Sequence, residues 1–241
     1  MDKYGINDKH PGHEGQYTHK DYGSVKFTKS SFIKEWVDEY CGDSIKNIMD
    51  IGSLDGGDSL RFNSWYSDAT VYSIEGSPHN FDVMNKKIGV RENLKTFNYV
   101  MSSIDGMVDF HRTVYPDNTT ESGRMDMGTI YTLKESKKQK HNLKSADSIR
   151  VESVSFDKFC EMNNISSVDF VHVDIEGASY DMVVGMNKVL PKLIFMEQEG
   201  QEFFTDKPTG NKELKELLMS KGYELVLDLG NDFLFRLNDN I

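Results

Sequence analysis

Short apolar runs alternate with amphipathic stretches along most of this chain. Residues 45–51, 70–74, 94–101, 149–154, 168–174 and 193–196 read as strands. The run at 168–174 is almost continuously apolar, as a central parallel strand covered on both faces must be. Between these runs the spacing changes to that of helices. Phe32, Ile33, Trp36, Val37 and Tyr40 share one face, with Ser30 or Ser31 placed to cap it. Leu60, Phe62, Trp65 and Tyr66 follow Gly57, and Phe81, Val83, Met84 and Ile88 follow a Ser77-Pro78 start. Ser155 caps a short helix through Phe159 and Met162. Met182, Val183, Met186, Val189 and Leu190 mark another helix, and Leu214, Leu217 and Leu218 a last one ended by Gly222. Two further strands, 223–229 and 233–237, flank a hairpin signal at Gly230-Asn231-Asp232.

Strand and helix in alternation, closed by a hairpin, predict an α/β fold. We expect a doubly wound, Rossmann-like, mostly parallel seven-stranded sheet in the order 3-2-1-4-5-7-6, with helices on both faces. The expected organisation is one domain over 28–241, preceded by an N-terminal arm over 1–27 that is a candidate lid. An irregular insertion interrupts the domain at about 112–148. Before it, Asp105-Gly106 precedes a β-like run at 107–111 and suggests a hairpin. Open sheets of this kind bind ligands beyond the carboxyl ends of their strands, at the switch point beside the first strand. That rule selects the tips at Asp50 to Gly56, Glu75, Ser102, Asp174 and Glu197.

Composition narrows the partners. Among 241 residues, 28 Lys and Arg face 39 Asp and Glu, for a net charge of −11. This balance argues against a general nucleic-acid binder. Cys41 and Cys160 are the only cysteines, too few for a disulfide framework or a structural zinc site, and they fit a reduced, cytoplasmic setting. No apolar run approaches the roughly 18 residues of a membrane span, so no membrane association is expected.

The chemistry gathers at the strand tips. In Asp50-Ile51-Gly52-Ser53-Leu54-Asp55-Gly56, Gly52 and Gly56 stand four apart without Gly-x-Gly. This is not the dinucleotide pattern; it suits a nucleoside lacking a pyrophosphate, with S-adenosylmethionine the obvious candidate. Asp50, Gly52, Ser53, Gly56, Glu75, Ser102 and Asp174 are the candidate cofactor-binding residues. Glu75, ending the second strand, would take the two ribose hydroxyls. Asp174 is the candidate base for an acceptor hydroxyl, with Glu197 on the neighbouring strand and His172 on the same strand face as alternatives. The Asp174–Glu197 pair could instead hold a divalent metal. His111 is a weaker base candidate, and His172 has a second reading as a hydrogen-bonded core residue. His10, His13 and His19 lie in the polar arm and lack the setting of a metal site. Lys134, Lys137, Lys138, Lys140 and Lys144 make the insertion locally basic, either a solvated loop or a contact for an anionic substrate or partner.

These motifs resemble those of the FkbM-type methyltransferases. Asp50 to Gly56 and Ile74-Glu75-Gly76-Ser77-Pro78 resemble the first two motifs of that family, and Ser102 with Asp105 to Phe110 its third. Val171-His172-Val173-Asp174-Ile175-Glu176-Gly177-Ala178 resembles its most specific signature. The chain departs from the family pattern at Ser53-Leu54, Ser103 and His172. Gln16-Tyr17 with Asp21 resembles, faintly, an arm that precedes the domain in relatives and would close over the cofactor. The resemblance implies a class I, S-adenosylmethionine-dependent enzyme that O-methylates a hydroxyl of a small molecule such as a sugar or glycoconjugate. The competing readings are a non-catalytic nucleoside- or partner-binding module on the same fold, a nicotinamide oxidoreductase, and an RNA methyltransferase working through the lysine-rich insertion.

Overall fold

The period-2 runs pair into a seven-stranded sheet, and a second, smaller sheet stands beside it. In the computed structural model the residues described are 15–19, 23–27, 29–42, 44–114, 127–140, 142–197, 200–228 and 232–238. His10, His13, Asp21, residues 115–126 of the insertion, Gln198, Glu199 and Gly230-Asn231 lie outside them. The chain divides into two units, Met1–Ser44 and Ile45–Ile241.

In the first unit, β1 (Gly15–His19) pairs antiparallel with β2 (Gly23–Phe27), and α1 (Lys29–Cys41) follows. The arm therefore carries a hairpin that its polar composition did not announce. On α1, Trp36 and Tyr40 stack one turn apart, with ring centroids at 5.3 Å.

The second unit starts with β3 (Asn47–Ile51), α2 (Gly57–Trp65), β4 (Thr70–Ile74), α3 (Pro78–Ile88) and β5 (Leu94–Phe97). Next come β6 (Val100–Met101), β7 (Gly106–Val114), β8 (Met127–Thr129), α4 (Glu135–Lys140), β9 (Lys144–Ser145) and β10 (Ile149–Val154). The chain ends through α5 (Phe156–Met162), β11 (Phe170–Val173), α6 (Ser179–Val184), β12 (Leu193–Glu197), a 3₁₀ turn at Gln201–Phe203, α7 (Asn211–Ser220), β13 (Tyr223–Asp228) and β14 (Asp232–Leu237). The larger sheet runs β5-β4-β3-β11-β12-β14-β13; counting only its own strands along the chain, this is 3-2-1-4-5-7-6. Its strands are parallel except β14, antiparallel to both of its neighbours.

Alternation along each strand sends successive side chains to opposite faces. Met49, Ile51, Tyr72, Ile74, Val171, Val173, Ile194 and Met196 join Phe156 and Phe159 of α5, Met182 and Val183 of α6, and Leu214 and Leu218 of α7 in one core. On the other face Phe62 of α2 meets Phe170 edge-on at 5.5 Å. Burying each such apolar side chain stabilises the fold by about 1.5–3 kcal/mol. Ser77 and Ser155 accept from Asn80 N and Lys158 N as N-caps of α3 and α5, as their positions predict.

The chain differs from the sequence reading around the third strand. Residues 94–101 do not form one strand. Asn98 turns its amide to the carbonyls of Glu75 and Gly76, at 2.7 and 3.3 Å, and the strand ends there. After the break, β6 pairs parallel with β10, and β10 pairs antiparallel with β7, which also holds β8 and β9. Asp105-Gly106 is therefore not a hairpin turn between β6 and β7, since β10 lies between them. Asp105 instead accepts from Ser155 N at 2.7 Å. The insertion is also more regular than its composition suggests, for β8, α4 and β9 lie inside it. Among the described residues no helix is long and apolar enough to cross a membrane.

Candidate active site

The register of four adjacent strands explains how the site is assembled. Asp50 is level with Ser73 on one side and His172 on the other, and His172 is level with Phe195. Two residues further along each strand, on the same face, stand Gly52, Glu75, Asp174 and Glu197. The sequence candidates thus fall into two rows, one inside the core and one at the sheet's carboxyl edge.

The inner row is buried and bonded within itself. Asp50 is fully buried, and its Oδ1 lies 2.9 Å from His172 Nδ1 while Oδ2 accepts from Ser59 Oγ. Ser59 Oγ lies 2.7 Å from Ser73 Oγ. The His172 ring is stacked against Phe195 at 6.0 Å and edge-on to Phe62 at 5.7 Å. Neither side chain stands at the strand tip. His172 is enclosed in the core as Asp50's partner, the second of its two sequence readings, and the Asp50 carboxylate is turned inward onto His172 and Ser59.

The outer row begins at the glycine turn. Gly52 has φ +86°, and a Cβ there would stand 1.8 Å from the backbone oxygen of Asp174. Gly56 has φ +76°, and a Cβ on it would meet Ile88 Cδ1 at 2.7 Å and Met84 Cγ at 3.0 Å. Both glycines are required by the chain's own packing: Gly52 lets strand β3 approach the end of β11, and Gly56 admits α3. The turn's amides also stay within the protein. Gly52 N and Ser53 N donate to Ile74 O, Leu54 N to Glu75 Oε2, Gly56 N to Ser53 O and Gly57 N to Asp55 Oδ1. A phosphate-binding loop aims such groups at its ligand; this turn does not. Ser53 is buried, and its hydroxyl donates to Asp50 O and accepts from Ile74 N, joining the two strands.

Glu75 is 6% exposed. Oε2 accepts from Leu54 N at 2.9 Å, and Oε1 from Ser77 N at 2.7 Å and Asn80 Nδ2 at 3.4 Å. Burial pushes its carboxyl up to about 7, against the opposing pull of the Ser77 and Leu54 amides and the Asn80 side chain. A carboxylate offers about four lone-pair sites, so three donors leave capacity for a ligand hydroxyl. Asp174 is half-buried, with its amide on Ile51 O at 2.9 Å. Val173 is level with Met196, which sets Asp174 and Glu197 side by side on neighbouring strands.

Ser102 does not belong to this row. It follows β6 of the smaller sheet, where its hydroxyl is 2.7 Å from Ser153 Oγ and accepts from Ile104 N at 3.0 Å. His111 is also in the smaller sheet, with Nδ1 2.9 Å from Ser148 Oγ. Among the described residues no group of three or more His, Cys, Asp and Glu side chains is disposed to hold a metal ion.

The insertion brings further residues beside the edge, a placement its sequence did not signal. Leu133 bridges to Phe204, Thr205 N donates to Thr132 O, and Thr132 N donates to Asp206, so the insertion is docked on the segment after β12. From that insertion Lys137, buried, reaches Glu176 Oε2 at 3.6 Å, and Tyr131 OH donates to Asp181 at 2.6 Å. Burial and the Asp181 carboxylate hold the Tyr131 phenol above its ordinary range.

Residues 50–225 match the family described as the methyltransferase FkbM domain. The chain belongs to the FkbM methyltransferase family. It is an enzyme, and its methyl donor is S-adenosylmethionine. The chain is similar to the 2-O-methyltransferase NoeI of Sinorhizobium fredii (strain NBRC 101917 / NGR234), at 27% identity over 184 residues, 74% of this chain and 72% of that protein. Among solved structures, the Methanococcus jannaschii fibrillarin pre-rRNA processing protein aligns with 96% of this chain and 86% of its own, at TM-score 0.46 and 12% identity. Aeropyrum pernix fibrillarin, solved with bound S-adenosyl-L-methionine, aligns with 93% and 81%, at TM-score 0.44 and 11% identity.

Proposed function

We propose that this FkbM-family chain methylates a hydroxyl of a small molecule, a sugar or glycoconjugate, and that the outer row is where it does so. The observation that carries the reading is the seating of Asp174 on the glycine turn, its backbone oxygen against Gly52. A carboxylate-bearing residue thereby adjoins the turn expected to hold the methyl donor.

The turn suits that donor in two respects. Its amides are satisfied internally, which disfavours a phosphate and is compatible with a nucleoside that has none. Glu75, tied to the same turn through Leu54, has acceptor capacity left for one ribose hydroxyl. When bound, S-adenosylmethionine supplies an electrophilic methyl group on a sulfonium. Gly52, Leu54 and Glu75 would fix it, and the chain's further task is to hold an acceptor oxygen in line with it. Asp174 would take the hydroxyl proton as the new bond forms, with Glu197 beside it to orient the acceptor. In this reading Asp50 and His172 support the row from below. The name of the relative NoeI, a 2-O-methyltransferase, agrees with an oxygen acceptor.

The test is formation of S-adenosylhomocysteine across a panel of sugars, glycosides and nucleosides. We expect turnover with a hydroxylated sugar, abolished by Asp174→Asn while donor binding persists. Full turnover in that variant would remove Asp174 from the chemistry. Turnover with nucleosides alone would overturn the carbohydrate reading.

A further inference from the structure

The turn that carries the chain away from Asp174 is left-handed at two successive residues. Glu176 has φ +47° and Gly177 φ +93°. A residue with a side chain keeps such a conformation only where its surroundings fix it. The ladders on either side of β11 end at Val173, one residue before Asp174, so strand pairing does not fix this turn. A Cβ on Gly177 would stand 2.5 Å from Phe204 Cζ, which places the turn directly against the segment after β12. Asp181 follows in the first turn of α6.

The insertion grips this turn at both ends. Lys137 of α4, buried, pairs with Glu176 across 3.6 Å, and Tyr131 OH donates to Asp181 Oδ2 at 2.6 Å. The grip is anchored in turn on the segment after β12. Thr132 N and Oγ1 donate to Asp206 at 2.8 and 2.9 Å, and Lys134 N donates to Phe203 O at 2.9 Å. Leu133 and Phe204, both buried, bridge to each other. Residues 131–137 therefore tie the chain that follows Asp174 to the chain that follows Glu197.

We infer that the insertion is a positioning clamp for methyl transfer: Lys137, acting through Glu176, and Tyr131, acting through Asp181, fix the Asp174 carboxylate relative to Glu197. Both are positioning residues. A misplacement of about 1 Å at a reacting centre can cost roughly a hundredfold in rate, so the clamp acts on the chemical step more than on binding. The inference rests on the proposed role of Asp174; the restraint it describes on the turn is independent of turnover.

The experiment compares Lys137→Met, Lys137→Arg and Tyr131→Phe with the wild-type full chain. Hydrogen exchange of the amides at 174–181 is followed by mass spectrometry, S-adenosylhomocysteine affinity by calorimetry, and turnover with S-adenosylmethionine and the panel sugar that reacts fastest. Exchange at 174–181 should quicken by about tenfold in Lys137→Met and by several-fold in Tyr131→Phe, which keeps its ring and is safe for folding, while residues 47–75 exchange as in the wild type. In Lys137→Met kcat should fall by about tenfold or more, with KM for the sugar and S-adenosylhomocysteine affinity within about twofold of the wild type. Lys137→Arg, which keeps the charge, should recover most of kcat, and Lys137→Met should cost little further in a Glu176→Gln chain. Unchanged exchange and kcat in both Lys137→Met and Tyr131→Phe would overturn the inference. So would a loss carried by KM or by S-adenosylhomocysteine affinity, Lys137→Arg no better than Lys137→Met, or losses at Lys137 and Glu176 that multiply. Full turnover in Asp174→Asn, or none with any panel sugar, would instead strike the proposed function, and the exchange measurement would still decide whether the insertion holds the turn.

Discussion

The amide of Leu54 donates to Oε2 of Glu75 over 2.9 Å, fastening the turn after the first strand of the large sheet to the tip of the second. Glu75 is thus part of the turn's structure as well as a candidate ligand for ribose. Its carboxyl is raised to about 7, chiefly by burial. For an acid whose folded value lies above its unfolded value, stability is fully present below the unfolded value and declines as pH rises through the folded one. Relative to Glu75→Gln, the wild-type chain should lose up to about 3 kcal/mol between pH 4.5 and 7, read by urea unfolding at a series of pH values. A pH-independent difference would contradict this account of Glu75.

Gly52 should be the least replaceable glycine of the turn. Alanine there meets the Asp174 backbone at 1.8 Å in a left-handed conformation, whereas at Gly56 it meets the ends of Ile88 and Met84. At Gly89, also left-handed, nothing lies within 4 Å. Left-handed strain costs roughly 1–2 kcal/mol, and overpacking typically adds about 1–3. The expected order of destabilisation is Gly52→Ala, then Gly56→Ala, then Gly89→Ala, measured by chemical denaturation.

The Asp50–His172 pair should matter for stability and little for the ligand. Removing one partner of a buried pair costs about 3–5 kcal/mol. Asp50→Ala should therefore lower stability by about 3 kcal/mol, and a double-mutant cycle with His172→Ala should show strong coupling. S-adenosylhomocysteine affinity of the folded fraction should stay near that of the wild type. A large loss of affinity would mean that Asp50 reaches the ligand after all.

The sheet was legible because its signals are local. Residues 168–174 are apolar enough to be central, and the second and third helices are announced by Gly57 and Ser77-Pro78. Glu75 and Asp174 could be placed because a strand's end and its parity fix where its last acid falls. The same parity put His172 and Asp174 on one face, but it could not show that His172 lies one row deeper, closed in by Phe62 and Phe195. The break at Asn98 was hidden because side-chain bonds to the carbonyls of Glu75 and Gly76 cause it, contacts between distant parts of the chain. The burial of Lys137 was illegible for a like reason. Its run with Lys134, Lys138 and Lys140 reads as a solvated loop or as a contact for an anionic substrate or partner, and only docking of the insertion on Phe203 and Phe204 buries it.

The central claim is that the edge formed by Gly52, Leu54 and Glu75 holds the methyl donor. Calorimetric titration of S-adenosylhomocysteine into the wild-type chain and into folded Glu75→Ala tests it directly. Binding by the wild type and a loss of about tenfold or more in the variant are expected. Equal affinity of the two would contradict it.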